Sequence, residues 1–113
     1  MATVRLEKMS ALVRKELALI FQQNMKKLFN GVMITVTRVR LAPDLGTAKA
    51  YLSFFPSEKA QAELKNVESH TKYIRKMLGD KTGGQLRRIP DLSFFLDDSM
   101  DYFEEIDRLL KTT

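Results

Sequence analysis

The stretch KYIRKMLGDKTGGQLRRIPDLSFF (residues 72–95) joins the end of a basic helix to a glycine-rich break, an arginine pair and an apolar strand. The helical spacing of apolar residues stops at Gly79, and Gly83-Gly84 follows, so both points predict a helix end. Pro90 disfavours a helical conformation in the residue before it, and residues 91–97 (DLSFFLD) therefore predict a strand. The apolar residues on one face of that strand are Leu92, Phe94 and Leu96.

The segment before this stretch predicts one long helix. Ser57 is a candidate N-cap, and Glu58 falls in the first turn, where a negative charge suits the helix dipole. Core-facing residues then recur at helical spacing as far as Gly79: Ala60, Leu64, Val67, Thr71, Ile74 and Leu78. By this periodicity the segment is a single helix without a break.

Two strands and a tight turn precede the long helix. Residues 32–41 (VMITVTRVRL) and 47–55 (TAKAYLSFF) are rich in β-branched and aromatic residues, and both predict strands. Between them, APDLG has Pro43 to preset φ and Gly46 to adopt a positive φ. The two strands are therefore expected to form an antiparallel hairpin, and Ala48 and Ala50 would allow a helix to approach it closely.

The first strand is expected to change register near its end. Val32, Ile34 and Val36 mark its buried side, but Arg38 and Arg40 continue the same alternation. Because a charged guanidinium is costly to bury, the strand must form a bulge or leave the core at this point.

Helices are predicted at both ends of the chain. Thr3 is the candidate cap of a helix over residues 4 to about 28, and Asn30-Gly31 ends it, because both residues tolerate the left-handed conformation. After the last strand, Asp98 or Ser99 is the candidate cap of a final helix. Its apolar positions are Met100, Phe103, Ile106 and Leu110.

The element order is thus helix, strand, strand, long helix, strand, helix. It predicts an α+β fold, a two-layer sandwich with helices on one face of a small sheet. A chain of 113 residues fits one domain, so residues 1–113 are expected to fold as a single unit.

Charge is divided unevenly along the chain. Residues 1–90 hold 17 Lys and Arg against 7 Asp and Glu, a formal charge of +10, whereas residues 91–113 carry −5. A basic body of this kind attracts a polyanion through counterion release, and nucleic acid is the commonest such partner. The chain has no Cys, no apolar run near the ~18 to 20 residues that span a bilayer, and an N-terminus without a signal-peptide core. We expect a cytoplasmic protein with no membrane segment.

Catalytic and metal sites find no support in the residue pattern. The lone histidine, His70, has no recognised nucleophile arrangement around it and is expected on a helix surface. The acidic residues after position 96 lack the spacing of an EF-hand loop. In GDKTGG the Lys-Thr pair precedes the glycine pair and follows a helix, unlike a P-loop. We expect no enzyme, no catalytic residue, no metal site, no cofactor and no small-molecule substrate.

Cations with little acidic compensation are the candidate nucleic-acid ligands. One group lies on the outward side of the first helix, and the other lies within residues 72–88, where Asp80 is the only acid. The candidates are Lys8, Lys15, Lys26, Lys72, Arg75, Lys76, Lys81, Arg87 and Arg88. An alternative is a protein-interaction module whose basic face binds an acidic protein.

Tyr51 and Phe95 are candidates for the open face of the sheet. An RRM-like protein stacks bases on such aromatics, but the aromatic-rich RNP pattern is absent from this sequence. We therefore expect both residues to serve in packing at a sheet edge.

These segments together resemble the bacterial ribosome-binding factor A family. The shared features are VRKELALIF in the first helix, ITVTRVRLAPDLGTAKAYLSF in the hairpin, YIRKML, and RRIPDLSFFLDDSM before IDRLL. The resemblance implies a fold like a type II KH domain, in the order α-β-β-α-α-β, with an additional C-terminal helix. It also implies a non-catalytic assembly factor that binds the immature small ribosomal subunit, assists maturation of its rRNA and supports growth at low temperature. We expect the protein to be a monomer.

The sequence departs from the family at two points. Many members interrupt the long helix with an Ala-x-Gly element, whereas this chain has His70, Thr71 and Lys72 there. Uninterrupted periodicity and the lack of glycine predict a mild bend or none. Residues 79–85 are also longer and richer in glycine than is usual in the family.

Overall fold

The computed structural model describes residues 2–86 and 88–97 of the chain. Arg87, the predicted final helix and the acidic residues after Asp97 lie outside the described residues. Within them the elements are α1 (Ala2–Gln23), β1 (Met33–Leu41), β2 (Thr47–Phe55), a 3₁₀ turn (Ser57–Lys59), α2 (Ala60–Ser69), α3 (Thr71–Thr82) and β3 (Asp91–Leu96).

The strands form a mixed sheet in the order β1-β2-β3. β1 and β2 are antiparallel, as two strands joined by a short turn must be, and β3 runs parallel to β2 after the helical crossover. The buried residues of the helices and strands form one hydrophobic core, so the described part of the chain is the predicted α+β two-layer sandwich.

The register change predicted in β1 is confirmed. Val36 pairs with Leu52 and Arg38 pairs with Tyr51, so Thr37 is the extra residue of a β-bulge. The Thr37 hydroxyl donates to the Tyr51 carbonyl at 3.2 Å and also contacts the Asp97 carboxylate. The bulge turns both arginines of this strand outward and returns an apolar residue, Val39, to the core.

Aromatic residues and small residues together fix the core. Phe21 packs edge-on against Phe29 at 5.2 Å and against Phe94 at 6.2 Å between ring centroids. Ala48 and Ala50 are buried beneath the helices, as predicted. A larger side chain at either alanine would separate the two layers, because protein cores have little free volume.

The first helix differs from its prediction at both ends. It begins at Ala2, so Thr3 lies inside it rather than capping it, and it ends at Gln23 rather than near residue 28. At this end the Ile20 carbonyl accepts from both the Asn24 backbone N–H at 3.1 Å and the Asn24 side-chain amide at 2.7 Å. The chain then turns through Asn30 and Gly31, which have the predicted positive φ, and buries Phe29.

The prediction of one long helix is wrong, because the segment breaks at His70. Its φ of −100° and ψ of 12° are not helical and separate α2 from α3. Polar side chains on either side of the break donate hydrogen bonds to nearby backbone carbonyls. Ser69 Oγ donates to Asn66 O at 2.6 Å, and Thr71 Oγ1 donates to Glu68 O at 2.7 Å. No glycine is needed, since side-chain hydrogen bonds produce the interruption.

Three smaller predictions are corrected. Ser57 opens a 3₁₀ turn without a side-chain capping bond. Gly79 lies within α3, which ends at Gly83 in the left-handed conformation with φ of 52°. In the hairpin turn, Leu45 rather than Gly46 has positive φ. At Gly46 an added Cβ would lie 3.2 Å from the Asp44 carboxylate, a tight contact that the Asp44 side chain would have to relieve by shifting.

Candidate nucleic-acid interface

The helix layer presents most of the predicted cations to solvent. Lys8 and Lys15 are exposed on α1, and Lys72, Lys76 and Lys81 are exposed on α3. Among residues 2–86 and 88–97, the ion pair present joins Arg75 to Asp91, so none of these lysines is neutralised by a described carboxylate. Their charge is available to an external anion.

The turn after α1 adds a cation beside α3. The Asn24 side-chain amide donates to the Met77 sulfur at 3.6 Å, so this turn lies against α3. Lys26, two residues further along, is exposed on the turn rather than on the helix where it was predicted. α1 and α3 also pack against each other, and their lysines therefore belong to one layer.

Arg75 differs from the other candidates because its side chain is used within the fold. Its Nε donates to the Pro90 carbonyl at 3.0 Å and its Nη2 to the Ile89 carbonyl at 2.9 Å. The same Nη2 lies 3.5 Å from an Asp91 carboxylate oxygen. The guanidinium thus fixes the segment that leads into β3, and little of its donor capacity remains for a phosphate.

Arg88 lies close to the hairpin turn. A Cβ added at Gly46 would be 3.5 Å from Arg88 Nη1, which places this guanidinium beside the turn between β1 and β2. Arg88 is exposed. It extends the basic surface from α3 towards the hairpin, whereas its neighbour Arg87 lies outside the described residues.

The open face of the sheet carries a stack that residue patterns alone did not reveal. The Arg38 guanidinium lies 4.4 Å from the Tyr51 ring centroid, and Tyr51 stacks on Phe95 at 5.5 Å with an interplanar angle of 29°. Tyr51 is on the central strand, so packing at a sheet edge is wrong for it and applies only to Phe95. Pairing the hairpin across its bulge would have placed Arg38 beside Tyr51.

A groove borders this stack along β3. It has a volume of about 360 Å³ and lies between the α2–α3 junction and the strand. Glu68 and Thr71 line one side, and residues 92–95 line the other, including Phe95 at the end of the stack. Polar and aromatic groups therefore meet at the point where the long helix breaks.

His70 occupies the break without forming a reactive site. Its Nδ1 lies 2.9 Å from the Asn66 carbonyl, and its ring packs edge-on against Phe29 at 6.0 Å between centroids. It is half-buried at the break, whereas a position on a helix surface was predicted. The described part of the chain holds no cluster of His, Asp and Glu suited to a metal ion, and none of its helices is long and apolar enough to cross a membrane.

Comparison with known sequences gives a consistent result. The sequence model of the family described as Ribosome-binding factor A matches residues 5–110. A protein of Cytophaga hutchinsonii with that name is 44% identical over 110 residues, covering 97% of this chain and 83% of the relative. One from Flavobacterium johnsoniae is 42% identical, with coverages of 97% and 85%.

Solved structures agree on the fold. The crystal structure of ribosome-binding factor A from Thermus thermophilus is similar with a TM-score of 0.68 and 22% identity, covering 80% of this chain and 94% of that one. A Thermus thermophilus homology model fitted into a cryo-EM map of a 30S complex gives 0.61 at 25% identity, with coverages of 79% and 91%. The described chain has the expected KH-like order α-β-β-α-α-β.

Proposed function

This chain belongs to the ribosome-binding factor A family, and we propose that it is an assembly factor for the small ribosomal subunit. It binds the immature subunit in the bacterial cytoplasm and assists maturation of the rRNA without catalysing a reaction. Residues 1–113 act as a single domain and as a monomer, and the activity matters most for growth at low temperature.

The observation that carries this proposal is the basic helix layer without acidic partners among the described residues. Exposed lysines on α1, on α3 and on the turn after α1 form no ion pair with a described carboxylate. Such side chains bind RNA phosphates and release the condensed counterions, which is the main source of sequence-independent affinity. The relative's description as part of a 30S complex supports the same partner class.

The candidate residues have different roles in this proposal. Lys8, Lys15, Lys26, Lys72, Lys76, Lys81 and Arg88, together with Arg87, contact the rRNA backbone. Arg75 contributes by holding the segment before β3 in place, because its donors are engaged with the Ile89 and Pro90 carbonyls. Phosphate contacts position the protein, and they carry no base specificity by themselves.

Sedimentation of the tagged protein through sucrose gradients tests the proposal directly. The protein is expected to travel with free small subunits and not with complete ribosomes. Binding to purified immature subunits should weaken steeply as salt is raised, since each phosphate contact contributes about 0.7 to 0.9 to the slope of log affinity against log salt.

Charge reversal with a matched control locates the contact. Lys72→Glu/Lys76→Glu is expected to lower the salt slope by about 2, one unit for each lost contact. Lys59→Glu/Lys65→Glu makes the same charge change at exposed positions outside the candidate surface and should have a much smaller effect. Equal losses in the two variants would contradict a defined contact surface. Partner binding that survives complete nuclease digestion would favour an acidic protein as the partner.

A further inference from the structure

We propose that the C-terminal segment, residues 98–113, docks as an amphipathic helix on the open face of the sheet, which is the side opposite the helix layer. Its apolar residues cover the exposed Met33 and Phe55 side chains and the aromatic stack on the same face. The inference follows from the side chains of that face, the point at which β3 ends, and the composition of the segment. It concerns a different surface from the proposed rRNA contacts and does not depend on the proposed function.

The open face carries two groups of apolar side chains that water can reach. Met33 and Phe55 are paired directly across β1 and β2, and they are 56% and 70% exposed. Further along the same face, Tyr51 stacks on the exposed Phe95 at 5.5 Å between ring centroids. Exposed apolar groups bordered by polar ones mark a surface that another segment or partner covers.

Cations border the aromatic stack on this face. Arg38 caps the stack, and the next outward pair towards the hairpin turn is Arg40 and Lys49. All three are exposed, and none forms an ion pair with a described carboxylate. Asp91, at the same end of the sheet, is already paired with Arg75 at 3.5 Å. The face therefore suits a partner that is both apolar and acidic.

The described chain ends at this face. The Asp97 backbone N–H donates to the Leu52 carbonyl at 2.8 Å, which extends the pairing of β3 by one residue. Phe95 faces outward and Leu96 packs against the core, so the alternation of a strand turns Asp97 outward. The Asp97 carboxylate contacts the Thr37 hydroxyl on β1, although β2 lies between these two strands. The side chain thus reaches across the sheet, and the segment that follows starts at the open face.

Residues 98–113 match this face in both pattern and charge. The apolar residues at helical spacing, which predict a single stripe, are Met100, Phe103, Ile106 and Leu110. The segment holds five Asp and Glu against two Lys and Arg, a formal charge of −3. Because it is joined to β3 at Asp97, its effective concentration at the sheet is on the order of millimolar. A second copy of the chain or a separate acidic protein lacks this advantage.

Docking of this segment would separate charge in space as well as along the chain. The acidic segment would screen Arg38, Arg40 and Lys49, whereas the lysines of the helix layer lie on the other side of the molecule. Exposed ion pairs contribute little to stability, so the apolar contacts hold the segment and the charges favour its orientation.

Nuclear Overhauser contacts in the full wild-type chain test the docking directly and do not depend on a variant folding. With selective methyl labelling, the Met33 methyl group is expected to give cross-peaks to the Phe103 ring or the Ile106 side chain. A mixture of labelled and unlabelled protein separates contacts within one chain from contacts between two copies.

Thermal unfolding of full-chain variants gives a second readout. Phe103→Asp places a charge in the apolar stripe and is expected to lower Tm by about 4 °C or more. Thr112→Asp adds the same charge on the opposite side of the expected helix, and its Tm should stay within about 1 °C of wild type.

A double-mutant cycle tests the sheet side of the same contact. Met33→Ser should lower Tm in the wild-type background and have much less effect in the Phe103→Asp background, because both changes remove one shared interface. Tyr73→Ser is the control, since Tyr73 is 46% exposed on α3 in the helix layer. Its effect should be the same in both backgrounds.

Several results would overturn the inference. They are absence of cross-peaks between the segment and the sheet, cross-peaks from Phe103 to α1 instead, or additive effects of Met33→Ser and Phe103→Asp. Cross-peaks that arise only between labelled and unlabelled chains would overturn it in favour of self-association through this face. Small-subunit binding by wild type and by Lys72→Glu/Lys76→Glu tests the proposed function separately.

Discussion

Arg75 ties α3 to the segment before β3, and replacing it by methionine is expected to destabilise the fold. Methionine keeps the apolar stem but removes the donors to the Ile89 and Pro90 carbonyls, at 2.9 and 3.0 Å. Hydrogen bonds from a charged group contribute about 1.5 to 3 kcal/mol each. The side chain is 36% exposed, so water replaces part of this interaction. We expect Arg75→Met to lower the free energy of unfolding by about 2 kcal/mol in total.

Urea unfolding followed by circular dichroism measures this loss. The midpoint should fall at an unchanged m-value, because the surface exposed on unfolding stays the same. In a thermal scan, about 2 kcal/mol corresponds to a decrease of roughly 10 °C in Tm for a domain of this size. The stability of Arg75→Lys should lie between that of wild type and that of Arg75→Met, because one ammonium group cannot reproduce the two-pronged contact of a guanidinium.

Lys76→Met is the matched control for this prediction. It removes a neighbouring cation that is exposed on the same helix, and its stability should stay within about 0.5 kcal/mol of wild type. If Arg75→Met and Lys76→Met unfolded at the same urea concentration, the structural role of Arg75 would be refuted. Conversely, Lys76→Met should impair small-subunit binding without loss of stability.

Further predictions concern a buried carboxylate and two glycines. Glu63 is buried and its carboxylate accepts from the side-chain amides of Asn30 at 3.0 Å and Asn66 at 2.7 Å. In Glu63→Gln a new amide donor faces one of these two amides, so the free energy of unfolding measured in urea should fall by about 1 to 3 kcal/mol. Gly79→Ala lies inside α3, where the new Cβ meets Ile89 at 3.4 Å, and should stabilise the protein by up to ~1 kcal/mol or leave it unchanged. Gly83→Ala imposes a positive φ on alanine and should lower the free energy of unfolding by about 1 kcal/mol. If the melting temperatures of Gly79→Ala and Gly83→Ala fell by the same amount, the assigned helix end would be wrong.

The strands were predictable because their pattern has a short period and their limits are punctuated by turn residues. The second strand was predicted with its observed limits, and the third differs by one residue. The β-bulge also followed from sequence, because two arginines in a buried register cannot be accommodated without one. These features depend on neighbouring residues, which a sequence displays directly.

The helix limits were less predictable, because apolar periodicity continues past the points where the helices end, and polar side chains donate to backbone carbonyls at those points. Asn24 directly follows α1 and its side-chain amide donates to the Ile20 carbonyl, and Ser69 and Thr71 flank the break at His70. The run of small polar residues around His70 was a signal for that break, since such side chains compete for backbone carbonyls. Apolar spacing hid it, because one non-helical residue left Val67 and Ile74 both facing the core.

The candidate site shows the same division between local and long-range information. Composition and spacing identified the exposed lysines, because uncompensated charge within a short stretch is visible in sequence. They could not separate Arg75 from Lys76, which are adjacent cations with opposite surroundings: one binds two backbone carbonyls and the other faces solvent.

By itself, the sequence determined the fold class, the strands and their bulge, the family and the basic character of the helix layer, since each depends on residue type and local spacing. Tertiary structure decided which cations remain free, and it brought Arg38, Tyr51 and Phe95 into one stack beside the groove. Those three residues lie on different strands, and only strand pairing fixes their distances. The physical reason is that charge and periodicity are properties of a segment, whereas a contact depends on how distant segments pack.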